Sequence, residues 1–460
     1  MTDNVVAANS VIFTPFTINN VRFKNRILRS SVGGRMSNYD GTLTDVWKNF
    51  EKRFADADVA AIISTTFHVN KDRVSPLQYP SIADQKFVPY LKKYIAAIKQ
   101  DKPDCRYIVQ IGDPGYTTYT SLFPEAQDSK SSSPGFDFGF GYNNTRTMMS
   151  HAEIERAIAD FVSAAARVRD AGADGLEITA TKGYLIHQFL NPGINRRKDQ
   201  WGGSPDHRFR FLQTIVESIR DRIGPDFLFG VRLSAADFNY SPPILSLLRL
   251  PWPPASRERW TGNDEQQMVE YAKRLRTLKV DYLHVVAGFG FPNPRDVPGQ
   301  FPFEEIKMFF NSTRHLSLKA AVRSTLVNTL PTSFGRWLLN LGWNFEQGIN
   351  LDSAETFKET VGLPVIANGG FQYKDFIEGA LESGRCDMVS MARALIANLD
   401  LLELFKAGQN GPEPKKLCSH CNRCVGRTVT SPLGCYDVSR FASRTEMHKE
   451  ILRFNQPDPA

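Results

Sequence analysis

Eight short apolar runs recur along the chain, separated for the most part by segments with helical spacing. They are ILRSSV from Ile27, VAAIIST from Val59, YIVQI from Tyr107, GLEIT from Gly175, FLFGVRL from Phe227, YLHVV from Tyr282, PVIANGG from Pro364 and CDMVSMAR from Cys386. Between them, stretches such as EIERAIADFVSAAARVRDAGA and DEQQMVEYAKRLRTLKV repeat apolar residues at the period of an amphipathic helix. Strands that alternate with helices imply a parallel sheet, and eight close naturally into a (β/α)8 TIM barrel; periodicity alone leaves an open doubly wound sheet as the alternative. Three segments depart from the minimal pattern: SSSPGFDFGFGYNNTR after the third strand, SPPILSLLRLPWPPASRERW after the fifth, and Pro292 to Gln347 after the sixth. All follow strands, which predicts that they lie over the barrel mouth as lids or partner surfaces.

The fourth strand ends unusually. From Ala173 to Phe211 the chain reads ADGLEITATKGYLIHQFLNPGINRRKDQWGGSPDHRFRF, placing Thr179, Lys182 and Tyr184 just past a buried strand, at the edge where chemistry collects in parallel α/β proteins. The stretch GYLIHQFLNPGINRRKDQWGGS resembles the old yellow enzyme family of flavin reductases, the NADH:flavin oxidoreductases, including their iron-sulfur relatives of the dienoyl-CoA reductase and trimethylamine dehydrogenase type. The two positions that hold histidine or asparagine in the family, and grip the substrate carbonyl, are Thr179 and Lys182 here. The resemblance decides for the barrel. It implies bound FMN with NAD(P)H as reductant.

Further matches carry the expected flavin pocket. FTINNVRFKNRILRSSVGGR resembles the family's first strand, whose backbone lies against the flavin; Asn25, Arg26 and Ile27 match, while Ser31, Val32 and Gly33 replace Pro-Met-[Cys/Thr]. Gly33 thereby removes a side chain that tunes the flavin from that position. Gln110, in VQIGDPG, matches an amide able to donate to and accept from the pyrimidine edge at once; its alternative reading is a structural buried glutamine. Arg232, in GVRLS, matches a cation that stabilises the anionic reduced flavin, the alternative being an arginine paired with a carboxylate in the mouth. Asn368, Gly369, Gly370, Ala392 and Arg393 follow the last two strands, where glycine backbone, a short helix N-terminus and a cation are suited to phosphate. Tyr184 matches the family's proton donor, since a phenol with a pKa of about 10 keeps its proton at neutral pH. Lys182 with Thr179 would suit a substrate carrying an oxyanion or acid group. Two other readings of Lys182 are a Schiff-base nucleophile and an ion pair without chemical part.

A second signal lies near the end of the sequence. Cys418, Cys421 and Cys424 form C-x2-C-x2-C and Cys435 follows, so four of the six cysteines fall within eighteen residues. In a cytosolic chain this reads as ligation before it reads as disulfides, of a [4Fe-4S] cluster or of zinc, with unmetallated thiols as the third reading. The iron-sulfur relatives carry a similar set after the barrel and pass electrons through it from a second flavin domain. Only 25 residues follow Cys435; electrons are therefore expected from nicotinamide directly or from a separate electron-transfer partner. His420 reads as a solvated neighbour.

Composition refines rather than decides. A chain of 460 residues, 42% hydrophobic and 23% charged, suits one large barrel, residues 12–410, with a cysteine-bearing extension, 411–460. The start lacks a signal-peptide pattern and no apolar run reaches the length of a membrane span, so a cytoplasmic protein is expected. The net charge of +7 is interleaved with acids, which argues against nucleic acid. The exception is Lys307 to Arg336, basic and apolar without an acid. It reads as inserted helix covering the barrel, with an anionic cofactor tail or membrane surface as the lesser reading. The sequence thus predicts an ene-reductase that delivers hydride from flavin N5 and a proton from Tyr184 to an activated alkene, a small-molecule substrate, in a chain that could self-associate. The alternatives are a flavin dehydrogenase or demethylase feeding a cluster, and a flavin-binding scaffold without turnover.

Overall fold

The apolar runs become the eight strands of a closed parallel barrel in the computed structural model: β1 (Ile27–Arg29), β2 (Ala61–Ile63), β3 (Arg106–Gly112), β4 (Gly175–Ala180), β5 (Leu228–Ser234), β6 (Tyr282–Val286), β7 (Val365–Asn368) and β8 (Met388–Met391). The structure describes residues 10–72, 78–116, 129–136, 145–239, 262–290, 293–315, 318–428 and 430–453. Neighbours pair in sequence order, and β3 closes on β4 with Gly175 opposite Ile108 and Ile178 opposite Ile111. Every residue of β4, β5 and β6 is buried, as it must be where helices cover the outer face and packed side chains fill the interior.

Helices α1 (Asp45–Asp56), α2 (Val88–Lys99), α3 (His151–Asp170), α4 (Pro205–Ile223) and α5 (Glu265–Thr277) follow the first five strands. After β6 come α6 (Phe303–Thr313), α7 (Leu318–Thr329) and α8 (Thr332–Leu339), then α9 (Leu351–Val361), α10 (Lys374–Glu382) and the five-residue α11 (Arg393–Ala397). Local chemistry sets their ends. Ser150 and Glu153 form a reciprocal capping box on α3, Ser204 caps α4 ahead of Pro205, and α9 stops at Gly362, whose φ of 70° only glycine adopts readily.

The barrel interior is layered. At the N-terminal ends of the strands, Leu28, Ala61, Ile63, Ile108, Leu228, Tyr282, Ile366 and Met388 form one apolar cluster, closed from below by Ile18 and Phe23. Those two belong to an antiparallel hairpin, Phe16–Ile18 with Val21–Phe23. Above this plug the inward side chains turn polar. That leaves the C-terminal end of the barrel as the only polar, open face of its interior among the described residues.

Of the segments expected over the mouth, the one after β6 builds α6–α8. Only the edges of the first are described, in a small sheet of Ser129–Ser131, Gly135–Phe136 and Thr145–Met148. The proline-rich SPPILSLLRLPWPPASRERW lies outside the described residues. The cysteine-bearing extension packs against the barrel and the β6 insert: Arg440 Nη2 donates to Ala397 O at 2.7 Å, and Asn422 Nδ2 donates to Val297 O and Gln300 O at 3.0 and 2.9 Å. No helix among the described residues is long and apolar enough to cross a membrane.

Candidate active site

A cavity of about 290 Å³ opens at the C-terminal ends of the strands. Ser31 and Gly33 line it from beyond β1, Gln110 from β3, Lys182 and Tyr184 from beyond β4 and Arg232 from β5. Asn368, Gly369 and Gly370 enter from the end of β7, Ala392 and Arg393 from beyond β8, and Cys424 from the extension. Residues spread over 394 positions of sequence thus converge because parallel strands all end on one rim. Thr179 stands apart. It is buried in β4 opposite Arg232, outside the cavity lining, with its methyl occupying the space above Gly112.

Beneath the cavity runs a buried hydrogen-bonded chain. Ser31 Oγ donates to Gln110 Oε1 at 3.0 Å, and Gln110 Nε2 donates to Glu177 Oε1 at 2.6 Å. Glu177 meets His284 Nδ1 at 3.0 Å and the Tyr282 hydroxyl at 3.2 Å. His284 Nε2 lies 2.8 Å from Ser390 Oγ, which accepts from Asn368 Nδ2 at 2.9 Å. Burial opposes ionisation of Glu177, but the adjacent His284, the Arg232 charge and the Gln110 amide outweigh it and hold the carboxyl below its ordinary range. Burial, reinforced by Arg232, pushes His284 down. The consistent arrangement is a carboxylate accepting from a neutral, Nδ1-protonated imidazole whose Nε2 accepts from Ser390. Gln110 therefore spends its carbonyl oxygen and one N–H inside the protein.

The mouth is shaped by two contacts absent from the sequence pattern. At Gly33 an added Cβ would fall 2.1 Å from the Tyr79 ring, so Tyr79 fills the space that a side chain at residue 33 would take. Its hydroxyl accepts from Tyr184 at 3.4 Å, and its ring stacks on His68 with centroids 5.6 Å apart. Burial raises the Tyr184 phenol above its ordinary value, against the opposing Tyr79 contact and Arg232 charge. Lys182, at a φ of 61°, forms an ion pair with the buried Asp296 of the β6 insert. Burial pulls the ammonium well below its ordinary value, aided by Arg232 and Arg393, and the Asp296 carboxylate lies against it.

The lining suits FMN. Arg232 Nε is buried without a hydrogen-bond partner among the described residues, although its guanidinium faces the cavity. A buried unpaired donor costs about 1–3 kcal/mol unless a ligand atom accepts from it. Gly370, at a φ of 75°, brings backbone against Glu346 O so closely that a Cβ would lie 2.8 Å away. Arg393 borders the cavity but is engaged: it donates to Pro298 O at 2.6 Å and to Asn422 Oδ1.

The four thiols of the extension lie close enough to act on one another, since after burial Cys418, Cys435 and Cys421 each push the Cys424 thiol up. Among the described residues no three His, Cys, Asp or Glu side chains come together as metal ligands. Burial pushes the Cys418 and Cys424 thiols up, and Cys435 Sγ accepts from Arg440 at 3.0 Å. His420 is buried rather than solvated, stacked on Phe345 with centroids 3.5 Å apart.

Sequence reasoning missed Glu177, His284, Tyr79 and Asp296. The first two left a trace, a single ionisable residue inside GLEIT and inside YLHVV, where an apolar strand gains nothing from one unless a partner waits across the barrel. Tyr79 and Asp296 left none.

The model of the NADH:flavin oxidoreductase / NADH oxidase family matches residues 11–242. Over 446 residues the chain is 26% identical to the NADH oxidase of Thermoanaerobacter brockii, covering 96% of this chain and 57% of that one. Over 305 residues it is 30% identical to the NADPH dehydrogenase of Geobacillus thermodenitrificans strain NG80-2, covering 65% and 79%. A solved 2-naphthoyl-CoA reductase shares the fold with a TM-score of 0.72 at 20% identity, covering 92% of this chain and 56% of that one. The chain thus spans little more than half the length of the NADH oxidase and of the naphthoyl-CoA reductase.

Proposed function

The chain belongs to the NADH:flavin oxidoreductase / NADH oxidase family, a family of FMN-dependent oxidoreductases that draw on NAD(P)H, and we propose that it reduces a carbon–carbon double bond conjugated to a carbonyl or acid group. The observation that carries this reading is Tyr184: a half-buried phenol on the cavity wall, raised above its ordinary pKa, within the same lining as Arg232. FMN, when bound, supplies the hydride to the electron-poor alkene.

The protein's own part is placement and charge. Ser31, Gly33, Gln110 and Arg232 would hold the ring, with the unpartnered Arg232 Nε offered to an acceptor and the guanidinium countering negative charge. Asn368, Gly369, Gly370, Ala392 and Arg393 would hold the phosphate end, the glycines by letting backbone approach closely. Tyr184 keeps its proton at neutral pH and gives it to the carbon beside the carbonyl. The 3.4 Å contact with Tyr79 can then reverse, Tyr79 donating to the new phenolate. Glu177, buried and ionised, faces Arg232 from the adjacent strand and fixes Gln110.

Lys182 is committed to Asp296, which favours a neutral enone over an anionic substrate unless that pair opens. Tyr184→Phe tests the reading. Flavin reduction by NAD(P)H should be retained, while turnover of 2-cyclohexenone should fall about 10²-fold or more, the usual weight of a positioned acid. Unchanged alkene turnover in that variant would remove Tyr184 from the chemistry.

A further inference from the structure

We infer that the helices inserted after β6 dock the protein on the surface of a membrane bearing anionic lipid. Helix α7 is mounted inside out. Its small and polar positions face α6, with Ala320 and Ser324 buried and Ser324 Oγ donating to Asn311 Oδ1 at 2.7 Å. Its large apolar residues point away: Leu318 is 82% exposed, Val322 51% and Leu326 62%. Spaced four apart, these three form one stripe along the helix. On α8, Phe334 and Trp337 are also exposed, with ring centroids 5.7 Å apart. Of the twelve large hydrophobic residues exposed among the described residues, seven lie between Met308 and Phe345. A scattered surface leucine means little; this concentration on one insert needs an apolar partner.

Charge identifies the partner. The forty residues from Ile306 to Phe345 hold five Lys or Arg and no Asp or Glu. Arg336 pairs with Glu304 at 3.1 Å, but among the described residues Lys307 and Arg314 have no carboxylate within ion-pair distance. A protein surface presents both signs at its rim, and a partner matched to this one would have to be uniformly acidic around an apolar centre. A bilayer with anionic headgroups over acyl chains has that order of charge and greasiness everywhere. Trp and Phe beside arginine suit its boundary, and no steric fit is required of it. With no spanning helix among the described residues, the attachment is to the surface.

The test is co-sedimentation of the full chain with sucrose-loaded vesicles of phosphatidylcholine alone or mixed with phosphatidylglycerol, at low and high salt. The protein should pellet with the mixed vesicles, less so at high salt, and remain in solution with phosphatidylcholine. Leu318→Gln/Leu326→Gln/Trp337→Gln, all at exposed positions, should cut the bound fraction about tenfold while circular dichroism and flavin absorbance stay native. No binding to the anionic vesicles, or binding untouched by the triple variant, would overturn the inference. So would a concentration-dependent dimer, lost in the triple variant, in a protein that ignores vesicles, since the stripe would then be a contact between copies.

Discussion

At the scale of single residues, the site is tuned by side chains that occupy each other's space. Gly33 is needed because Tyr79 fills the volume above it, and Tyr79 in turn holds the Tyr184 hydroxyl. Tyr79 acts through Tyr184 and is a positioning residue. Tyr79→Phe removes the donor that favours the Tyr184 phenolate, so the Tyr184 pKa should rise further and the alkaline limb of the kcat profile for 2-cyclohexenone should move to higher pH. Its kcat should drop by about 10-fold, in line with the loss of roughly one hydrogen bond to a charged group. Flavin reduction should be untouched; an unmoved alkaline limb would show that Tyr79 only fills space. Asp296 offers a second test. Asp296→Asn removes the carboxylate in contact with Lys182 and leaves burial and the two arginines that lower its pKa, so the amine should lose its proton more readily. It should then be the lysine labelled fastest by dilute acetic anhydride, whereas labelling no faster than surface lysines would mean that it stays charged. Neither contact was legible in the sequence. Tyr79 and Asp296 reach the mouth from loops after β2 and β6, and no periodicity records where a loop folds back.

At the scale of elements, the strands were legible because burial on both faces leaves no choice but continuous apolar runs, and each of the eight runs became a barrel strand. What crosses between elements was not. Arg29 of β1 and Glu51 of α1 form a fully buried ion pair, with burial pulling the guanidinium down to about 10. Glu51→Ala strands that charge, and urea unfolding should show a loss of about 3–5 kcal/mol; a loss under about 1 kcal/mol would mean that water or another group compensates. The loop after β4 is tied differently. Arg197 binds Asp199 through Nε at 3.0 Å and Nη2 at 2.6 Å, while Nη1 donates to Ser132 O and Met149 O. The Arg197 hydrogen bond outweighs the opposing effect of burial and, with the Trp201 N–H, holds Asp199 at about 2 against an ordinary 3.8. A depressed carboxyl contributes stability that is whole above 3.8 and is lost as pH falls through about 2. Asp199→Asn should therefore flatten the acid limb of the melting-temperature profile in that window. An acid limb as steep as that of the native protein would contradict this.

At the scale of the whole molecule, the barrel, the β6 insert and the extension meet at Asn422, whose side chain bonds Val297, Gln300 and Arg393 at once. Asn422→Ala should leave the barrel folded, judged by circular dichroism, but raise the flavin dissociation constant by about 10-fold, the cost of one or two polar contacts at the pocket edge. Unaltered flavin affinity would show that the extension merely rests on the barrel. The family pattern made the barrel legible, and every residue expected in the flavin pocket, with Lys182 and Tyr184 but not Thr179, lines the rim cavity. Ligand spacing along a chain does not fix what loops place beside each sulfur, so the Arg440 donor to Cys435 Sγ was not legible in it. The rim cavity is expected to hold a flavin that NAD(P)H reduces. The direct measurement is the visible spectrum of the purified protein, recorded before and after anaerobic addition of NADH or NADPH. Flavin bands that bleach with one of the nicotinamides, and recover when 2-cyclohexenone is added, are the predicted result. A protein without flavin that takes up none of the added FMN, or a bound flavin that neither nicotinamide reduces, would contradict it.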